Sequence, residues 1–419
     1  MRTNDIAVAI LSLVGLSAAF IDDTRNLKWS TLGGKKTRLI GHRGERAFVP
    51  EHTYASYWQA ALEGADFIEP DLALTRDGQI VVSHNLWLGE TTNIRDIPEL
   101  QKYKRNITWP DSSGHVYELT NEYFIFDMTL EDIKKVRVMQ SDVEYRPQIY
   151  NGLFGLLTFD EYLSTMRELT VKLGRPFGAI PELKMPKIYN MGRPYPRYFE
   201  DRAIITLSHY GLANITGNID KSQHSDLILS PVAPLPAGSA LGPAVWQCFD
   251  QDTSAYLANN TDVPVACTRR CHASLLHTQG LDAVAKYAKI VAPWKDFFVT
   301  GAEASLKAKG VTWNATEIAA MGGFIAPDQL VKEIHSRGME VCPWTFYNSK
   351  ESLSYLCQEK GIKPASRSGF CPKDKTEEFF YFFEQGADYM FVEDIVEANI
   401  LRTFFANKLE NKQNQRLDS

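Results

Sequence analysis

From Arg38 onward, short apolar runs of strand length alternate with longer stretches whose apolar residues recur at helical spacing. The strand-like runs are Arg38–Gly41, Asp66–Leu72, Ile80–His84, Phe177–Glu182, Ala244–Phe249, Val263–Ala266, Ile290–Ala292, Glu340–Thr345 and Tyr389–Val392. Helical spacing covers Tyr54–Glu63, Thr158–Leu173, Pro196–His209, Leu281–Ala288, Pro327–Ser336 and Lys375–Glu384. This alternation predicts an α/β fold with a parallel sheet and helical crossovers. Nine strand candidates are one too many for an eight-stranded barrel, and the link from Leu72 to Ile80 is too short for a crossover helix. One run must therefore be irregular.

Polar clusters sit where the apolar runs stop. His42-Arg43-Gly44, Glu69-Pro70-Asp71, His84 and Glu182-Leu183-Lys184 each follow a separate strand candidate. Chemistry at the ends of several strands points to a closed (β/α)8 TIM-type barrel, whose strand C-termini share one rim. A doubly wound sheet would gather its site at one switch point behind a glycine-rich phosphate loop, and no such loop is present. The stretch from about Asn85 to Gly155 has no clean period beyond a helical piece at Thr129–Val136. A connection that long is expected to be an inserted subdomain over the C-terminal rim.

Composition adds boundaries. The chain has 419 residues, 44% hydrophobic and 23% charged, with a formal net charge of −6. An acidic balance argues against a general nucleic-acid binder. Arg2, the apolar run Ile6–Leu16 and the small residues Ser17-Ala18-Ala19 read as a signal peptide over residues 1–19. That run falls short of the roughly 20 residues a membrane span needs, so the mature chain is expected to carry no transmembrane segment. Four N-x-Ser/Thr sequons begin at Asn106, Asn214, Asn259 and Asn314, and six cysteines form no C-x-x-C pair. A disulfide closing the loop between Cys357 and Cys371 fits its turn-like composition. Together these features predict a secreted or vesicular glycoprotein, with its barrel over 38–401 and a frayed polar tail over 402–419.

Glu69 and Asp71 are two residues apart on a strand, so both project to one face. Unpaired, they would raise one another's pKa; a hard divalent cation bound through oxygen resolves the repulsion, with Glu182 as third ligand. His42 and His84 are the candidate general acid and base. Arg43 can fork onto phosphate oxygens and Lys184 can add a point charge. That set suits phosphodiester cleavage. No G-x-S-x-G elbow or H-E-x-x-H helix competes, and Cys267-Thr-Arg-Arg-Cys271-His272 reads as a loop or disulfide. His52, His115, His209, His224, His277 and His335 show no acidic partner in the sequence and are read as structural or surface groups.

The ordered motifs resemble the glycerophosphodiester phosphodiesterase family. The likeness runs through Leu39-Ile-Gly-His-Arg-Gly44, Pro50-Glu-His-Thr53, Gly64-Ala-Asp-Phe-Ile-Glu-Pro-Asp71, Leu74-Thr-Arg-Asp-Gly78, Val81-Val-Ser-His84, Pro181-Glu-Leu-Lys184, Gln247-Cys-Phe-Asp250, Pro343-Trp-Thr-Phe346 and Gly386-Ala-Asp388. Pro50-Glu-His-Thr53 and the insertion look most like the exported, calcium-dependent bacterial branch. The resemblance implies His42 and His84 as acid and base, and Glu69, Asp71 and Glu182 as ligands of a divalent cation, calcium in preference to magnesium. It also implies Arg43 as a phosphate contact, Glu51 near the site, and Gln247, Phe249 and Trp344 along the pocket for a small-molecule glycerophosphodiester. Two departures stand out: Asn85 where an Asp commonly follows the second histidine, and Val392-Glu-Asp394 where Thr-Asp-x-Pro is usual.

The implied reaction releases glycerol 3-phosphate and an alcohol. A lysophospholipase D or sphingomyelinase-D-like enzyme on the same barrel is the enzymatic alternative, and a non-catalytic cell-surface binding protein the alternative of another class.

Overall fold

The computed structural model of the chain describes residues 26–110, 116–268, 276–308, 310–348 and 370–417. The proposed signal, His115, Cys271, His272 and Cys357 lie outside them. The strands are β1 (Arg38–Gly41), β2 (Phe67–Ile68) resuming as β3 (Asp71–Leu74), β4 (Ile80–Val82), β5 (Arg105–Pro110), β6 (Val116–Glu122), β7 (Gly178–Ala179) resuming as β8 (Glu182–Leu183), β9 (Trp246–Cys248), β10 (Val265–Thr268), β11 (Ile290–Ala292), β12 (Glu340–Val341) and β13 (Tyr389–Val392). The main helices are α1 (Tyr54–Leu62), α2 (Phe159–Leu173), α3 (Tyr198–His209), α4 (Gln251–Asn260), α5 (Thr278–Val284), α6 (Pro327–His335), α7 (Lys375–Gln385) and α8 (Ile395–Leu417).

Eight parallel staves close into a barrel. β1 pairs with β13 on one side and β2 on the other, and β2 pairs with β7. β3, β8, β9, β10, β11 and β12 follow in parallel order. The circle shuts where Asp388 N donates to Val341 O at 2.9 Å and Phe346 N to Phe391 O at 2.8 Å. The second and third staves are each broken in two at Pro70 and Pro181, which bring no N–H to the ladder. The surplus ninth run is β4. It returns antiparallel on β3, Leu72 facing Val82, so the hairpin rises above the rim and brings His84 back beside Asp71. Ser83 N donates to Asp71 O at 2.8 Å.

Two apolar layers result. Ile40, Phe67, Ile180, Val245, Ala266, Ile290, Cys342 and Phe391 fill the lumen. Alternate stave residues such as Leu39, Ile68, Val291 and Met390 pack outward against the helices. Arg38, ion-paired with Glu340 and lying 3.7 Å over the Tyr389 ring, closes the floor.

Several expectations need correction. The run 402–419 is not a frayed tail, because α8 continues to Leu417 with no glycine or proline to stop it. Leu401, Phe405 and Ala406 are buried beneath it, and Arg402 donates to Thr37 O and Asp66. The helix expected at Leu281–Ala288 begins earlier, at Thr278, where His277 Nδ1 accepts from Gly280 N. His335 is not without an acidic partner: its Nε2 lies 2.8 Å from Asp388 Oδ2. Cys248 and Cys342 are free buried thiols, so the even cysteine count does not mean three disulfides. Cys371 is disulfide-bonded.

In the insertion, β5 and β6 form a hairpin whose Trp109 and Tyr117 stack at 5.5 Å. Among the described residues no helix is long and apolar enough to cross a membrane.

Candidate active site

The two-residue period of the staves builds the site from the core upward. Ile40 faces the lumen, so His42 does also; Phe67 sets Glu69 and Asp71; Ile180 sets Glu182 and Lys184. Val245 sets Gln247 and Phe249, Cys342 sets Trp344, and Phe391 sets Glu393. Arg43 and His84 arrive differently. Arg43 takes a left-handed conformation, φ 61°, as the chain turns over the rim, and its N–H donates to Glu69 Oε2 at 2.9 Å. Gly44 follows at φ 87°, where an added Cβ would lie 2.3 Å from Ser56 Oγ and 2.8 Å from a backbone carbon. The third position of His42-Arg43-Gly44 is therefore glycine for steric reasons.

Glu69, Asp71 and Glu182 converge, with one carboxylate oxygen of each within 4.8 Å of the others. All three are buried. Burial, then Asp71 and Glu182, push Glu69 well above the usual carboxylate range. Burial raises Glu182 to about 7 against the pull of Lys184, whose Nζ lies 2.6 Å from Oε1. Asp71 goes the other way: despite burial, Lys184 at 3.1 Å and His52 hold it well below. Lys184 Nζ is thus shared between Asp71 Oδ1 and Glu182 Oε1. Three hard oxygen donors, buried together in mutual repulsion with one lysine between them, fit a divalent cation.

His84 has a defined tautomer. Asn85 Nδ2 donates to Glu90 Oε2 at 2.9 Å, which leaves Oδ1 facing His84 Nδ1 at 2.7 Å. An amide oxygen only accepts, so His84 carries its proton on Nδ1 and presents a lone pair at Nε2. Asn85 thus does what an Asp would do for orientation, without the charge. His42 Nδ1 faces Glu393 Oε1 at 3.5 Å, while its Nε2 lies 3.9 Å from Glu69. Burial and then Arg43 lower His42 to about 3; burial also lowers His84 well below its ordinary value.

Glu393 is the residue sequence reasoning missed. It is wholly buried between Arg46 at 2.8 Å and Arg146 at 2.7 Å, and these cations hold its carboxyl down despite burial. Arg146 belongs to the insertion, so the insertion supports His42 through Glu393. The signal was available: Glu393 follows lumen-facing Phe391 by two residues. His52 also needs correction. Its Nε2 lies 2.8 Å from Asp71 Oδ2 and its Nδ1 3.0 Å from Tyr57 OH, because φ 58° turns the ring under the second stave. Arg43 is less available than expected, since Nη1 donates to both oxygens of Glu51 and Nε lies 3.5 Å from Asp71.

A cavity of about 420 Å³ opens above these groups, lined by His42, Arg43, Glu69, His84, Glu182, Lys184, Gln247, Phe249 and Trp344. Asp71 lies just beneath, fully buried. Gln247 Nε2 donates to Glu182 Oε2 at 2.7 Å, and the Phe249 and Trp344 rings meet edge to face at 5.5 Å.

Residues 42–216 match the model of the glycerophosphoryl diester phosphodiesterase family. Glycerophosphodiester phosphodiesterase GDPD6 of Arabidopsis thaliana is 28% identical over 329 residues, 75% of each chain. A glycerophosphodiester phosphodiesterase of Caldanaerobacter subterraneus subsp. tengcongensis is 31% identical over 189 residues, 43% of this chain and 62% of that one. A crystal structure from Silicibacter pomeroyi DSS-3, of a protein given the same family name, superposes with a TM-score of 0.51 at 15% identity, covering 90% of this chain and 97% of that chain, and shares the barrel fold. The matched stretch begins at His42 and carries both histidines and all three carboxylates, and over residues 42–216 the chain matches the glycerophosphodiester phosphodiesterase family.

Proposed function

We propose that the chain hydrolyses glycerophosphodiesters to glycerol 3-phosphate and an alcohol, with His84 and His42 moving the protons. The observation that carries this reading is the pair of oriented imidazoles beside the carboxylate trio. His84, with Nδ1 bound to Asn85 and a lowered pKa, offers Nε2 as a base at neutral pH. It takes the proton of the attacking oxygen, either water or the substrate's own glycerol 2-hydroxyl; the hydroxyl route gives a cyclic phosphate that water then opens, His42 taking the water's proton and His84 returning one to the 2-oxygen. The P–O bond to the alcohol breaks, and the departing oxygen takes a proton from His42. An anionic diester beside His42 Nε2 favours the imidazolium, and Glu393 behind Nδ1 does the same. Lys184 and the edge of Arg43 that lines the cavity draw the phosphate in.

Glu69, Asp71 and Glu182 would hold a divalent cation, which supplies charge neutralisation at the phosphoryl oxygens. Likeness to the exported branch favours calcium over magnesium. The test is glycerol 3-phosphate release from a panel of glycerophosphodiesters. Release from glycerophosphoglycerol and glycerophosphoethanolamine is expected; turnover of lysophospholipids alone would replace this reading with the lysophospholipase D one, and no turnover of any diester would favour the binding protein.

We also take the chain to travel the secretory route. Asn106, Asn214, Asn259 and Asn314 are all exposed, which supports glycosylation. Peptide mapping of protein from its own host should find glycans at these sites and cleavage near Ala19. Four bare asparagines and an intact Met1 would overturn the route.

A further inference from the structure

The cavity has a second wall that the proposed chemistry does not use. Leu86 and Trp87 follow His84, Tyr117 comes from β6 in the insertion, and Met185 and Ile188 follow the third stave; all five line the same cavity as the histidines. Phe249 and Trp344, from the fourth and seventh staves, form a separate aromatic pair in the cavity. The second wall is a built surface rather than a mobile edge. Leu88 N donates to Tyr123 O and Ile125 N to Leu86 O, pinning the backbone of Trp87. Its ring lies 5.8 Å from Tyr117 and 6.4 Å from Trp109, which stacks on Tyr117.

Charge separates the ligands this wall could take. Aromatic faces can attract a quaternary ammonium, and a free carboxylate beside them would strengthen that attraction. Asp250 lines the cavity, yet Lys187 Nζ occupies it at 2.7 Å and Thr253 N donates to it at 2.9 Å. Glu90 is turned to the amide of Asn85, and at the base of the wall Lys184 holds the carboxylates of Asp71 and Glu182. We propose that this wall is the subsite for the departing alcohol and that it selects alcohols bearing a neutral hydrocarbon or aromatic group over cationic ones. The inference rests on the phosphodiesterase reading above and gives its substrate class.

The experiment compares two diesters that differ only in charge: glycerophosphocholine and its carbon isostere, glycerophospho-3,3-dimethylbutanol. KM for glycerol 3-phosphate release should be at least tenfold lower for the isostere. In a series of unbranched alkyl diesters kcat/KM should rise with length, by at most about fourfold per buried methylene. Tyr117→Ser, on the insertion, and Ile188→Ser, on the helical turn Pro186–Tyr189 after the third stave, should each flatten that rise and shrink the isostere preference. Two variants on separate elements guard against loss of fold in one. A KM lower for choline than for the isostere would overturn the inference in favour of a cation cage. A preference that neither variant changes would also overturn it. In either case the diesters are still cleaved, whereas absence of glycerol 3-phosphate from every diester removes the underlying reading as well.

Discussion

His42→Ala should lower turnover of glycerophosphodiesters by about 10²–10⁴, the range for loss of a general acid or base, while the barrel stays folded. The rate should fall because the proposed mechanism makes His42 Nε2 the proton donor over the carboxylate trio, with Glu393 3.5 Å behind Nδ1. The fold persists because His42 caps the lumen rather than filling it; the packing below is Ile40, Phe67 and Phe391. Truncating a lumen residue would leave a cavity, whereas truncating His42 enlarges one already open to substrate. The comparison is kcat for wild type and variant, with circular dichroism melting as the check on fold. A folded His42→Ala protein with near-normal kcat would make His42 structural and leave His84 without a partner.

Chelation should abolish turnover, and added calcium or magnesium should restore it. Its counterpart is a stability effect that requires no substrate. Glu69, Asp71 and Glu182 are buried with ligand oxygens within 4.8 Å, and burial and mutual repulsion push Glu69 up. A cation bound only by the folded chain stabilises it by about 2.7 kcal/mol at one hundred times its dissociation constant. Glu69→Gln should lose that response. Its amide oxygen can still accept from Arg43 N, so the variant's metal-free form should melt no lower than wild type. Melting in EDTA and in calcium, for both proteins, reads this directly. Full turnover by Glu69→Gln in EDTA would sink the metal assignment, as would equal calcium stabilisation of both proteins.

Much of this was legible because the staves are buried on both faces and so read as continuous apolar runs. The polar residue that ends each run then names the site, as His42, Glu69 and Glu182 do. What sequence could not supply was adjacency between staves. His52 and Asp71 are bonded, yet they belong to different elements, and only the left-handed turn at His52 brings them together. Glu393 looked like a departure from a familiar motif, although its place two residues beyond Phe391 puts it inside the barrel. The polar run after Arg402 suggested fraying because its composition is hydrophilic, whereas its freedom from glycine and proline decided the outcome. The hairpin that returns His84 was signalled only by a link too short to hold a helix.

The bond from Arg146 to Glu393 bears on how this protein could be re-engineered. Residues 85–155 look like an overhang that could be shortened to widen the mouth for larger diesters. Cutting it would remove one of the two guanidinium groups that balance a fully buried carboxylate, and a buried charge stripped of a partner destabilises strongly. A minimal barrel would thus inherit an unbalanced anion directly behind His42. Any truncation that keeps the chemistry must keep the short stretch around Arg146, or replace Glu393 at the same time.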